Sequence, residues 1–177
     1  MPFPVDGLVF APVCVRLPGV GAFVAQAGPP VATVRPVEAA IAEDTLTRYR
    51  RVLGEDHPVT LRLANNLAVG LRGLGEYEQA RDVDKDTLSR YRRVLGEDHP
   101  ATLDSANNLA ADLRALGEHE EARELHEDTL ARRRRVLGDD HPATLRSAHN
   151  LAADLRVLGE HDQAGQLDEW IKFLDRS

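Results

Sequence analysis

The sequence predicts an all-α fold, a solenoid built from antiparallel helix pairs. Two observations predict it. A pattern of 42 residues recurs three times, over residues 43–84, 85–126 and 127–168. Within each copy, apolar residues return every three or four positions, which is the spacing of an amphipathic helix. Copies at a fixed period of this size are typical of supersecondary units that bury their apolar faces by stacking on each other.

The chain divides into two parts near residue 36. Residues 1–35 match no repeat and hold six prolines and four glycines, so they are predicted to be irregular or disordered. An alternative is that their short apolar pieces, "GLVF" and "AFVA", cover the first helix. Residues 36–177 form the repeat domain. They are predicted to contain seven helices: a half-repeat at 36–53 and complete pairs at about 59–95, 101–137 and 143–176.

The connection between repeats carries an acid beside a histidine in every copy. "RRVLGEDHP" occupies residues 50–58 and 92–100, and "RRVLGDDHP" occupies 134–142. A single Asp-His pair supplies no nucleophile and too few metal ligands, and the three copies lie a whole repeat apart. We therefore interpret each copy as a turn. Gly54 ends one helix in a left-handed C-cap, Pro58 starts the next, and His57 or the acid before it accepts from free N–H groups.

Composition narrows the function classes. The formal net charge of −7 makes a nucleic-acid partner a poor fit. The single cysteine, Cys14, excludes an internal disulfide and fits a cytoplasmic location. No apolar run is long enough to span a membrane. The apolar stretch around Cys14 lacks a preceding Lys or Arg and is interrupted by Pro12, so it is not predicted to be an export signal.

The repeat resembles a known family. The segment "NNLAVGLRGLGEYEQAR", followed by "LGEDHP", is similar to the tetratricopeptide repeat in its 42-residue, kinesin-light-chain-like form. Asn66, Leu67 and Ala68 match its small-Leu-Gly signature, Gly75 its turn glycine and Ala80 the small residue of its second helix. The chain departs from the pattern where the second helix usually has an aromatic residue. The residues at that position are Asp84, His126 and Asp168.

The resemblance implies a right-handed superhelix whose first helices line a concave groove that binds a peptide or protein. The residues predicted to face the groove are Arg62, Asn65, Asn66, Arg72, Asn107, Asn108, Arg114, Arg146, His149, Asn150 and Arg156. Asparagine amides can bond both polar groups of an extended peptide, and arginines can bind carboxylates in a forked pair. Alternatively, the asparagines bond neighbouring backbone and only hold the stack. A scaffold for partner binding and a structural self-assembly or spacer module both remain open.

Catalytic and cofactor chemistry is not predicted. The sequence has no Gly-rich phosphate loop and no nucleophile elbow. His119 and His126 are seven residues apart on one predicted helix, but a packed or solvated role is favoured over metal binding. The basic run "ARRRR" at 131–135 is flanked by acids and is interpreted as a solvated helix end. We predict no enzyme activity, no cofactor and no metal.

The last helix leaves the repeat pattern at Glu169. Trp170, Phe173 and Leu174 share one helical face. This face is predicted to fold onto the third helix pair and close the stack, with part of it exposed for a weak homodimer through the C-terminal helix.

Overall fold

A computed structural model describes residues 37–174, with side chains from residue 39 onward. Within that range the chain forms seven α-helices and no strand, as the repeat predicts. The predicted segment 1–35 lies outside the described residues. The helices are α1 Val37–Leu53, α2 Pro58–Gly73, α3 Tyr77–Leu95, α4 Pro100–Ala115, α5 His119–Leu137, α6 Pro142–Val157 and α7 His161–Leu174. Each helix packs on the next one along the chain, which is the arrangement of a solenoid.

The Asp-His copies form turns. His57 precedes α2 in an extended conformation, and its Nδ1 accepts from the backbone N–H of Val59 at 3.2 Å. His99 and His141 cap α4 and α6 in the same way, each at 3.1 Å. A proline takes the first position of each of these helices, where a missing N–H leaves no bond unmade. The imidazoles therefore act as N-caps.

The backbone conformation at the glycine that follows α3 differs from the prediction. Gly54, Gly96 and Gly138 have positive φ angles of 92°, 86° and 94°. The ψ of Gly96 is 168°, so it lies in the extended, essentially glycine-only region and not in the predicted left-handed helical region. The physical reason is the next helix: this ψ turns the Gly96 carbonyl toward the Thr102 hydroxyl, which donates to it at 2.8 Å.

Leucine and alanine build the core, as the low aromatic content requires. Ala68, Ala80, Ala110, Ala122 and Ala152 are all fully buried. A methyl side chain at these positions lets neighbouring helices approach closely while the leucines fill the space around them. No described helix is both long and apolar enough to cross a membrane.

Candidate functional site

The residues predicted to face the groove all lie on the first helices of the three pairs, α2, α4 and α6. Exposed among them are Arg62, Asn66, Arg146, His149 and Arg156. Partly buried are Asn65, Arg72, Asn107, Asn108, Arg114 and Asn150. Exposure therefore changes along the row: Asn66 is exposed, whereas its equivalents Asn108 and Asn150 are partly buried.

Part of the asparagine row bridges adjacent helices. The Asn150 amide donates to the Asn107 side-chain oxygen at 2.9 Å, which connects α6 to α4. The Ser105 hydroxyl donates to the Asn65 side-chain oxygen at 3.2 Å, which connects α4 to α2. These bonds hold the stack, and they run side chain to side chain. The amides of Asn66 and Asn108 bond no other described residue.

The arginines near the ends of the first helices contact buried carboxylates of the next repeat. Arg72 Nε lies 2.5 Å from Asp112 Oδ1, and Arg72 Nη2 lies 3.5 Å from Asp84 Oδ2. The guanidinium is 23% exposed, whereas both carboxylates are fully buried. Arg72 thus joins the second helix of its own repeat to the first helix of the following one.

Burial changes the ionisation of this cluster. Loss of hydration, and then the neighbouring Asp112 carboxylate, raise the pKa of Asp84 to about 8, although Arg72 pulls the pKa down. Burial also raises the pKa of Asp112, against the opposing effect of Arg72. One guanidinium cannot balance two dehydrated carboxylates, so the pair holds a proton near neutral pH.

The junction between the second helix pair (α4 and α5) and the third (α6 and α7) has the same arrangement with one change of residue. His126 stands where the preceding repeat has Asp84, and its Nδ1 hydrogen-bonds Asp154. Arg114 Nη1 lies 3.4 Å from the other Asp154 oxygen. His126 and Asp154 are both fully buried. In the last repeat Arg156 pairs with Asp168.

The first junction, between α1 and the first helix pair (α2 and α3), lacks this polar cluster. One period earlier, the positions of Asp84 and Asp112 are occupied by Ala42 and Gly70. A pocket of about 120 Å³ lies there, and Asn66 is part of its wall. The other residues lining it are Ala39, Ala42, Leu67, Gly70, Leu71 and Leu74. The pocket is therefore apolar apart from one exposed amide.

A buried arginine reaches toward the exposed side of α4. Arg133 is 1% exposed and stands where α3 has Tyr91. Its guanidinium donates to Ala143 O and Ser147 Oγ, each at 2.9 Å, and to Asp104 Oδ1 at 2.6 Å. Burial lowers the pKa of Arg133, and Asp104 opposes that effect.

The other arginines of the basic run also have acidic partners. Arg132 and Arg135 bind Asp98 in the preceding loop at 3.1 and 2.6 Å. Arg134 binds Asp139 at 2.8 Å, and its guanidinium carbon lies 4.8 Å from the centre of the Trp170 ring. Arg134 and Arg135 are exposed, as predicted for a solvated helix end, but Arg133 is buried and the run also pairs with acids of the loops and contacts the last helix.

The last helix closes the stack with only part of its apolar face. Ile171 is 3% exposed and belongs to a core cluster formed by residues of α5, α6 and α7. The half-buried Trp170 packs against the same cluster. Phe173 is 69% exposed.

No described group of three or more His, Cys, Asp or Glu side chains is placed to hold a metal ion. His126, one of the two histidines considered for such a site, makes its short contact with Asp154.

Sequence reasoning missed the inter-repeat clusters. It identified Asp84, His126 and Asp168 as departures at the aromatic position, but it assigned them no partner. The available signal was the recurrence of a polar residue on the apolar side of α3, α5 and α7, together with an aspartate at the same position of α4 and α6. A buried charge needs a partner, so the two recurrences together indicate a contact.

Comparisons with known proteins agree with this architecture. The family model "Tetratricopeptide repeat" matches residues 40–92, 60–133 and 104–170, which together span well over half of the chain. No curated protein matches the sequence.

Several solved structures are similar to this chain. A putative kinesin light chain with nearly identical TPR-like repeats, from Podosopora anserina, superposes with a TM-score of 0.68 at 26% identity. The match covers 77% of this chain and 65% of that one. A variant of the same protein gives a TM-score of 0.70 at 26% identity, covering 78% and 68% of the two chains. BtubC (BKLC) from P. vanneervenii gives 0.72 at 23% identity, covering 78% of this chain and 55% of that one, which shows a shared fold.

Proposed function

Because the chain belongs to the tetratricopeptide repeat family, we propose that it is a non-catalytic scaffold that binds a peptide or protein in the groove lined by α2, α4 and α6. Tetratricopeptide repeats generally mediate protein–protein interaction or assembly. The observation that carries the proposal is the pair of unengaged amides, Asn66 and Asn108, at the same position of successive helices. An extended peptide along the groove would bond both amides through its backbone.

The ion pairs within the protein reduce the number of arginines that the groove can offer to a partner. Arg72 and Arg114 are engaged by Asp112 and Asp154, so a carboxylate of the partner would compete with a buried carboxylate of the protein. A clamp for an acidic peptide is therefore weaker than the sequence alone indicates. Arg62, which is exposed, is the better candidate for a charged contact.

The pocket beside Asn66 supplies an apolar anchor site. Its volume of about 120 Å³ is well below the roughly 300 Å³ at which small-molecule sites begin. It suits one aliphatic side chain. We propose that the partner places such a side chain between Ala42 and Gly70 while its backbone bonds Asn66.

A matched pair of asparagine variants tests the proposal on the full chain. Peptides selected from a random library by the wild-type protein are measured against Asn108→Ala and Asn107→Ala. We expect Asn108→Ala to weaken binding by about 1–3 kcal/mol with little change in melting, because its amide has no partner in the described residues. Asn107→Ala serves as the control: it breaks the bond to Asn150 and lowers stability. Peptides that bind Asn108→Ala as tightly as the wild type would count against the groove.

Gly70→Leu tests the anchor site separately. A Cβ at residue 70 meets nothing within 4 Å, so the added side chain can fill the pocket. We expect the variant to bind peptides less tightly and to be more stable, because glycine inside a helix is unfavourable by about 1 kcal/mol. Gly73→Ala is the control, since it shares the gain in helix propensity and leaves the pocket open.

The alternative function is a structural self-assembly or spacer module, including a weak homodimer through the C-terminal helix. For that helix, only the exposure of Phe173 now favours an intermolecular contact. We also propose a cytoplasmic location, on the basis of the single cysteine, and no role in nucleic-acid binding, on the basis of the acidic net charge.

A further inference from the structure

Within residues 37–174, nothing packs on one face of α1, whereas the same face of the later second helices is covered at most positions. Ile41 is 59% exposed, whereas Val83, its equivalent one period later, packs against the core cluster that includes residues of α2. Tyr49 is 40% exposed, whereas its equivalent Tyr91 is 4% exposed. The second helices are thus built to be covered on this side by the first helix of their own repeat, and no described helix precedes α1.

The bare face is a continuous stripe with charge at its edge. Ile41, Thr45, Arg48 and Val52 follow one another at intervals of four, three and four residues, which places them on one side of the helix. Val52 is 78% exposed, whereas its equivalents Val94 and Val136 are 43% and 45% exposed. The stripe is thus mixed, with an exposed apolar side chain at each end and Thr45 and Arg48 between them, so a partner would have to match both apolar and charged groups.

The sequence of residues 1–36 does not predict a helix that could replace the missing neighbour of α1. The first helices α2, α4 and α6 have 16 residues each. In residues 1–36 the longest stretch without proline is 19–28, and it contains three glycines. Proline inside a helix removes a hydrogen bond and clashes with the preceding turn, so the sequence of this segment does not predict a helix of that length.

The distribution of charge along α1 favours one kind of partner for the exposed stripe. Asp44 lies in the first half of the helix, and Arg48 and Arg51 lie in the second half. Asp44 and Arg48 pair at 2.8 Å with side chains that are 60% and 76% exposed, so both are available to a partner. A second α1 that runs antiparallel brings the acidic half of each helix against the basic half of the other.

We propose that a second copy of this chain covers the face, through an antiparallel pair of α1 helices related by a two-fold axis. With the axis between Leu46 and Thr47, Ile41 lies opposite Val52 of the other copy, and Asp44 lies between Arg48 and Arg51 of the other copy. The same patch then serves both copies, which is the commonest form of a homo-oligomer.

The pair forms without disturbing the solenoid or the groove. Ala39 and Leu46 are the buried residues of α1, and they lie on the side that packs on α2. The bare stripe is about a third of a turn away from them. One helix per copy makes a small interface, so the dimer is weak and forms at high protein concentration. The proposal does not depend on the proposed groove.

A charge exchange on the full chain tests it by sedimentation equilibrium over a concentration series. Asp44→Arg makes the edge of the stripe wholly basic, and Arg48→Asp with Arg51→Asp makes it wholly acidic. We expect each variant alone to dimerise at least about tenfold more weakly than the wild type, and an equimolar mixture of the two to return to within about fivefold of it. All three side chains are exposed, so the variants should melt like the wild type. Glu124→Arg, an exposed change on α5, is the control and should leave dimerisation unchanged.

Three results would overturn the proposal. A wild type that is monomeric at every concentration has no such dimer. A mixture that remains monomeric while the wild type dimerises rules out the antiparallel pair. Dimerisation that survives both charge variants and is lost in Phe173→Ser places the contact on α7.

Discussion

Replacing Asp84 by asparagine should change how the stability of the protein depends on pH. The amide has nearly the shape of the carboxyl group, so the packing between α3 and α4 is retained, but position 84 no longer titrates. In the folded protein burial raises the pKa of Asp84 to about 8, against an ordinary value of 3.8. Between these two pH values the folded chain holds a proton that the unfolded chain has released.

The sign and size of the effect follow from that difference. A raised pKa contributes stability that is fully present below about pH 4 and is lost as the pH rises through about 8. Inside the window, one proton difference lowers the free energy of unfolding by about 1.4 kcal/mol per pH unit. Asp84 is fully buried, so solvent does not screen the effect. From pH 5 to pH 7 the advantage of Asp84→Asn over the wild type should therefore grow by about 3 kcal/mol.

Urea unfolding followed by circular dichroism measures this gap at the two pH values. Asp82→Asn, an exposed carboxylate of the same helix that pairs with Arg81, is the control and should show a gap that hardly changes. If the Asp84→Asn gap is equally constant, Asp84 is ionised in the folded protein and Arg72 neutralises both carboxylates alone. That outcome would refute the reasoning.

Three other substitutions have effects that urea unfolding can measure. His99→Ala removes the N-cap of α4 and should lower stability by about 0.5–2 kcal/mol; an unchanged midpoint would mean that water replaces the cap. Arg133→Ala breaks the hydrogen bonds to α6 and leaves a cavity, so a loss of about 2–4 kcal/mol is expected; a loss below 1 kcal/mol would show that the buried charge contributes little. Gly96→Ala forces a side chain into a positive φ and should lose about 1–3 kcal/mol, whereas Gly73→Ala, in ordinary helical conformation, should gain; equal effects would exclude backbone strain as the cause.

The sequence was sufficient for the helices and insufficient for the contacts between repeats. Apolar spacing, the prolines that begin α2, α4 and α6 and the glycines between helices are local signals, and they placed all seven helices of the described range. The contact between Arg72 and Asp112 joins residues 40 positions apart on different helices, and their spacing reveals a contact only once the helices are stacked. Arg133 was hidden for a similar reason: within "ARRRR" it resembles its exposed neighbours, and only helix phase distinguishes the one that points inward.

Because the junctions between helix pairs differ in their contacts, the two ends of the array should differ in stability. In a linear repeat protein, stability is close to a sum of unit terms and nearest-neighbour terms, so the weakest neighbour contact sets where opening begins. The α1–α2 junction has Ala42 and Gly70 and a pocket of about 120 Å³, where the next junction has the Arg72 cluster. Opening should therefore start at α1 and proceed toward α7. A partner bound to the α1 stripe would stabilise the end of the array that unfolds first. Its binding would therefore raise the free energy needed to open each of the repeats that follow.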